Sequence, residues 1–265
     1  MTPAVEEVSA LPKLMLKTPP RSCVDELRRP DLLPHVPAMA DLLEDVSFKV
    51  QQLMYETLPV ELPPDELFAV VSYTYDTQTG AQVCGHSCIA PASRLHPDCI
   101  SFYDGVLPFR VQAGNLYFEL NHALRQRGAV QRTAALQLWG GYLYYLLSGL
   151  SKLTDVQAVV YRGYPDKAKV VEQYKVGRPI QWGAFSSTST SVAATKGFTN
   201  QEHGVIFKLT VLSGKVIRAY SYFPSEDEVL LSPQARFVVS SALYEGADGF
   251  TYLDLVEQRG TLFIS

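Results

Sequence analysis

The chain changes character once, near Asp155, and that change limits the folds open to it. Upstream of it, apolar residues recur at helical spacing. Met39, Leu42, Leu43, Val46, Val50, Leu53 and Met54 fall on one stripe, and Leu116, Leu120, Ala123 and Leu124 repeat at i, i+4, i+7 and i+8. An almost wholly apolar run from Thr133 to Leu153 predicts a buried helix. Pro59, Pro63 and Pro64 stop the first helix, Gly128 is a stop for the second, and a short apolar segment lies at Leu67 to Tyr75. Downstream, the pattern predicts strands at Ala158–Tyr161, Val205–Val211, Val216–Ala219, Glu228–Leu231, Phe237–Tyr244, Phe250–Val256 and Leu262–Ile264. Helices first and strands after imply an α+β fold with a mainly antiparallel sheet.

The ends and the surface exclude several functions. Residues 1–36 hold Pro3, Pro12, Pro19, Pro20, Pro30 and Pro34 without sustained periodicity, which predicts an extended arm. A net charge of −4 supplies no basic face for nucleic acid and no polybasic membrane contact. Met1 to Ala10 lacks the pattern of a secretory signal, and Thr261 to Ser265 is too short for a lipid-anchor tail. The stretch Ala134–Leu150 carries Gln137, Ser148 and three glycines, so a core helix is expected there rather than a membrane span. Cys84, His86, Cys88, His96 and Cys99 cluster without paired Cys-x-x-Cys spacing, and no metal site is expected.

Three segments carry chemistry. Val159 to Gly163 is an apolar strand ending in Arg162 and Gly163; an arginine there can fork onto a phosphate, and the glycine lets a ligand approach the backbone. Gly183 to Ser191 carries a run of hydroxyls behind Trp182 and Phe185, read either as a loop or as a strand aiming hydroxyls into a cleft. Tyr220 to Leu231 places Glu226 and Glu228 two residues apart at the start of an apolar strand, with Tyr222 and Phe223 before them. Each alone also fits an ordinary edge, loop or solvated turn.

Together and in this order they resemble the arginine-specific mono-ADP-ribosyltransferases of the arginine–serine–glutamate type, which include vertebrate ecto-enzymes and bacterial toxins and effectors. The resemblance extends upstream to Phe109, Arg110, Tyr117, Asn121, Ala123, Leu124 and Arg125, and covers roughly Ile100 to Tyr244. It implies a split NAD-binding core of two mainly antiparallel sheets behind a helical N-terminal part. It divides the chain into an arm (1–36), a helical and loop extension open to target recognition (37–99) and a catalytic domain (100–265). It implies NAD as donor and transfer of ADP-ribose to a protein side chain, most simply arginine, with release of nicotinamide. By the same resemblance Arg162, Gly163, Phe185, Ser187 and Phe198 bind NAD, with Arg162 on the pyrophosphate and nicotinamide-ribose region and the two phenylalanines walling the nicotinamide. Glu228 stabilises the sugar cation, Glu226 faces the acceptor, and Tyr222 and Phe223 form an acceptor-selecting tip.

Rival readings stay open. The same NAD chemistry can serve another acceptor, such as threonine or serine of a host protein, or water. Alternatively, the chain is an NAD-binding interaction module without catalysis, or a zinc-dependent protein built around Cys84 to Cys99. The expected partners are NAD and one acceptor protein, with the chain a monomer, in the cytoplasm or delivered as a bacterial effector.

Overall fold

Helical and extended segments fall in the order the periodicity predicts, in a computed structural model that describes residues 16–76, 114–126, 128–197, 199–233 and 235–259. The helices are α1 (Cys23–Leu27), α2 (Met39–Leu53), α3 (Pro64–Tyr73), α4 (Leu116–Leu124) and α5 (Ala129–Lys152). Helix α2 buries the predicted stripe from Met39 to Leu53, while Met54, the last residue of that stripe, caps the helix and is exposed. The apolar segment after it becomes α3, because Pro64 sits in the first turn, where its fixed φ suits a helix and its missing N–H costs nothing. Gly128 does not end α4, which stops at Leu124; in extended conformation it instead caps the start of α5. Helix α5 buries Leu136, Trp139, Leu143, Leu146 and Leu150, one face at helical spacing, against α3 and α4. No helix among the described residues is long and apolar enough to cross a membrane.

The proline-rich start is not extended throughout. Cys23, Leu27, Leu32 and Val36 are buried in the helical core, so residues 23–36 pack instead of trailing as an arm. The physical reason is local. Ser22 caps α1 by accepting the Asp25 N–H, and Arg29 reaches across to the Leu138 carbonyl at 3.2 Å, so short apolar anchors are enough to pin the segment.

The β elements are β1 (Asp155–Tyr164), β2 (Pro179–Gln181), β3 (Ser186–Ser189), β4 (Val205–Val216), β5 (Glu228–Leu231), β6 (Arg236–Val239), β7 (Tyr244–Glu245) and β8 (Thr251–Glu257), with short helices α6 (Lys167–Gln173) and α7 (Val192–Lys196) between them. The predicted strand Val205–Val211 extends to Val216 as β4, whereas the predicted strand Val216–Ala219 does not form: past Val216 the chain enters a 3-10 turn at Arg218–Tyr220. The predicted strand Phe237–Tyr244 is broken into β6 and β7, and Leu262–Ile264 lies outside the described residues. Pairing is antiparallel except between β4 and β8.

The eight strands are hydrogen-bonded into one sheet in the order β1-β3-β5-β4-β8-β6-β2, with β7 on β8 and β4 also paired to β1, and the sheet divides at β4 into two subsheets. Most of the length of β4 pairs with β1 on one side and β8 on the other, and β6 and β2 extend that subsheet. Its last residues, Lys215 and Val216, pair with β5, which pairs in turn with β3. Gly214 permits the crossing: a Cβ there would stand 2.6 Å from Val229 Cγ1. The second subsheet covers the helical core through Leu230, with Phe185, Ile217 and Tyr220 alongside, while the first builds its own core from Val160, Phe207, Trp182, Phe237 and Leu253. The subsheets meet again where Tyr161 of β1 pairs with Ser189 of β3. This seam brings Arg162, Ser187, Glu226 and Glu228 together.

Candidate active site

Arg162, at the end of β1, donates through Nη1 to the Ser187 carbonyl at 2.6 Å. Its guanidinium carbon stands 6.0 Å from the centre of the Trp182 ring, a cation–π contact, and Trp182 is fixed by donating from Nε1 to the Tyr174 hydroxyl at 3.1 Å. Strand β3 runs antiparallel to β5, with Ser187 opposite Leu230 and Ser189 opposite Glu228. The Ser187 side chain hydrogen-bonds the Glu228 carboxylate. Within the hydroxyl run, Ser186–Ser189 is therefore a strand, and Ser191 caps the helix that follows.

Glu228 is only 8% exposed. Burial pushes its carboxyl up to about 7; the Ser187 hydrogen bond and the Arg162 charge pull it down, and the Glu226 charge pushes it further up. Four residues from three separate sequence segments thus act on one another electrostatically. Glu226 closes a short 3-10 turn, Pro224–Glu226, and its carbonyl accepts the Ser189 hydroxyl at 2.8 Å. Gly163 follows Arg162 on β1, opposite Ile206.

Two of the aromatic residues expected at the site lie inward. Phe185 is 1% exposed and packs in the helical core, 5.2 Å centre to centre from Tyr73. It lies just ahead of β3, where the chain dives between the sheet and α3, and an apolar ring gains more by filling that core than by lining a cleft. Tyr222 also turns inward: its hydroxyl is buried, its ring stands edge-on to Tyr75 at 5.1 Å, and its N–H donates to Thr74 Oγ1. Of the pair expected at an acceptor-selecting tip, Tyr222 is instead a tether to α3. Phe223 is half-buried just before the turn, and Phe198 lies outside the described residues, as do Cys84, Cys88 and Cys99. Among the described residues no group of His, Cys, Asp and Glu is gathered to hold a metal ion.

Tyr73 and Trp182 are the neighbours that motif reading did not assign. Tyr73 is buried on α3; burial drives its phenol well above its ordinary range, and Glu228 raises it while Arg125 and Arg162 lower it. Its hydroxyl accepts from Asn121 Nδ2 at 2.8 Å. The available signal was Asn121, a polar residue on the apolar stripe of α4, whose burial calls for a partner.

A helical layer on a mainly antiparallel sheet that branches at one strand, with an arginine, a serine and a buried glutamate at the branch, places the chain in the ADP-ribosyltransferase fold class. The mono-ADP-ribosyltransferase ART2.2, solved as a mutant in complex with NAD, shares the fold with a TM-score of 0.56 over 94% of this chain and 96% of its own, at 16% identity. The type III effector XopAI from Xanthomonas axonopodis pv. citri gives 0.54 over 92% and 90%, also at 16% identity. The family model described as NAD:arginine ADP-ribosyltransferase matches residues 106–261, and the chain belongs to that family. Human Ecto-ADP-ribosyltransferase 5 is 28% identical over 156 residues, covering 56% of this chain and 52% of that protein. NAD(+)-protein-arginine ADP-ribosyltransferase Tre1 of Serratia proteamaculans (strain 568) is 32% identical over 137 residues, covering 52% of this chain and 28% of that protein. The chain spans about half or less of the length of the curated relatives it matches.

Proposed function

We propose that the chain cleaves NAD between nicotinamide and ribose and transfers the ADP-ribose to an arginine side chain of another protein. The observation that carries this reading is Glu228, buried, bonded by Ser187 and within electrostatic reach of Arg162 and Glu226. A carboxylate is unlike its buried surroundings, and this one has the partners a positively charged sugar would need around it.

Arg162 is the natural anchor for the pyrophosphate and nicotinamide ribose through charge-assisted hydrogen bonds, and the backbone at Gly163 is placed beside it for the carboxamide. As the C1′–N bond breaks, its electron pair leaves with nicotinamide, which becomes neutral, and positive charge develops on the ribose. Ionised Glu228, accepting from the ribose 2′-hydroxyl, stabilises that charge where it forms. A guanidine nitrogen of the acceptor then bonds C1′, and its proton passes to Glu226. The nicotinamide cation of bound NAD also favours the ionised form of Glu228, which burial alone disfavours. The helical layer tied to this turn through Thr74 and Tyr222 is the element best placed to read the acceptor protein.

The test is labelled NAD in a cell lysate, with wild type and Glu228→Ala side by side and mass spectrometry on the labelled band. Label on an arginine with wild type alone supports the reading. Equal labelling by both proteins, or no nicotinamide release by wild type, refutes it.

A further inference from the structure

Three acidic residues run consecutively into β5: Glu226, Asp227 and Glu228. Asp227 is, among the described residues, the one non-glycine with positive φ, at φ 47° and ψ 46°. Aspartate enters this left-handed region more readily than most residues, yet at a cost that the surroundings must hold in place. The reversal it makes separates Glu226, the last residue of the 3-10 turn, from Glu228, the first of β5.

Arg218 supplies the hold. Its Nη1 lies 2.6 Å from Asp227 Oδ1. The base under Arg218 is firm: the Ile217 N–H donates to the Glu228 carbonyl at 3.2 Å and the Tyr220 N–H to the Ile217 carbonyl at 2.9 Å. The Tyr220 hydroxyl in turn donates to the Val60 carbonyl at 2.8 Å and accepts the Val60 N–H at 3.1 Å. On the opposite side Ser189 grips the Glu226 carbonyl. The turn is therefore clamped from both flanks, once through its backbone and once through the Asp227 side chain.

We propose that Arg218 is a positioning residue for transfer to the acceptor. By pairing with Asp227 it fixes the left-handed turn, holds Glu226 apart from Glu228, and withdraws Asp227 as a competing carboxylate for the incoming guanidinium. The inference rests on the reading of Glu226 as the acceptor-facing carboxylate. With side chains 60% and 40% exposed, the pair adds little to folding stability, so its effect falls on geometry.

Arg218→Ala, Arg218→Lys, Asp227→Gly and the Arg218→Ala/Asp227→Gly double variant are compared for transfer to agmatine, a small guanidine, and for nicotinamide release without acceptor. Hydrogen exchange across residues 221–229 is followed in parallel. Arg218→Ala should lower the ratio of transfer to hydrolysis about tenfold, mainly through KM for agmatine, and should speed exchange in the turn. Arg218→Lys, which keeps the charge, should restore both. Once Asp227 is glycine, which enters the left-handed region freely, removing Arg218 as well should change nothing further. An unchanged ratio or unchanged exchange in Arg218→Ala, with wild type releasing nicotinamide, overturns this proposal alone. No nicotinamide release by wild type overturns the functional reading and this inference with it.

Discussion

Replacing Glu228 with glutamine should make the protein more stable at alkaline pH while removing its NAD chemistry. A carboxylic acid with an ordinary value of 4.5 that titrates at about 7 in the fold is one whose anion the fold disfavours. At about 1.4 kcal/mol per pH unit, that difference corresponds to about 3 kcal/mol. The folded state holds its proton more tightly than the unfolded chain, so this contribution to stability is complete below pH 4.5 and is lost as pH rises through about 7. Glutamine keeps the shape and a hydrogen-bonding partner for Ser187 but carries no charge to desolvate. The stability difference between Glu228→Gln and wild type should therefore be near zero at pH 4.5 and grow to about 3 kcal/mol by pH 8, roughly 6–12 °C in Tm for a chain of this size. Urea unfolding of both proteins from pH 4.5 to 8.5 measures it, and the other titrating groups cancel in the difference. Parallel stability curves, or a glutamine variant that is less stable at pH 8, would show that burial is not what governs this carboxyl. Nicotinamide release by the same variant should fall about 100- to 1,000-fold, so the charge that destabilises the fold is the charge the chemistry uses.

Ser187→Ala removes the hydrogen bond that pulls the Glu228 carboxyl down, so the rising limb of NAD cleavage against pH, expected near about 7 in wild type, should move to higher pH; an unmoved limb would separate Ser187 from Glu228 in function. Glu226→Gln should spare NAD hydrolysis while cutting transfer to arginine, measured as nicotinamide release against labelled protein, and equal loss of both would contradict the division of labour between the two glutamates. Phe185→Ala should cost about 3–5 kcal/mol of stability, read by denaturant unfolding, because it opens a hole in the helical core. If the folded Phe185→Ala variant instead loses affinity for NAD at undiminished stability, the ring contacts the ligand after all.

Sequence alone settled the properties that a single segment can express. The stripe from Met39 to Leu53 could bury its apolar face only as a helix, and Val205 onward could do so only as a strand, because each period is written in consecutive residues. The three segments holding Arg162, Ser187 and Glu228 were also legible, as residue types in order. Tertiary structure decided which of their neighbours surround Glu228 and which pack in the core. Arg162 bonds a residue 25 positions away, and Ser189 bonds one 37 positions away, contacts that depend on strand register and on where β4 leaves one subsheet for the other. The fates of Phe185 and Tyr222 followed from the same source. An aromatic ring is equally suited to a ligand wall and a protein core, and only the position of α3 beneath the second subsheet sent both rings inward. The raised titration of Glu228 has no local cause either, since burial comes from surrounding segments and not from the residues beside it in the chain.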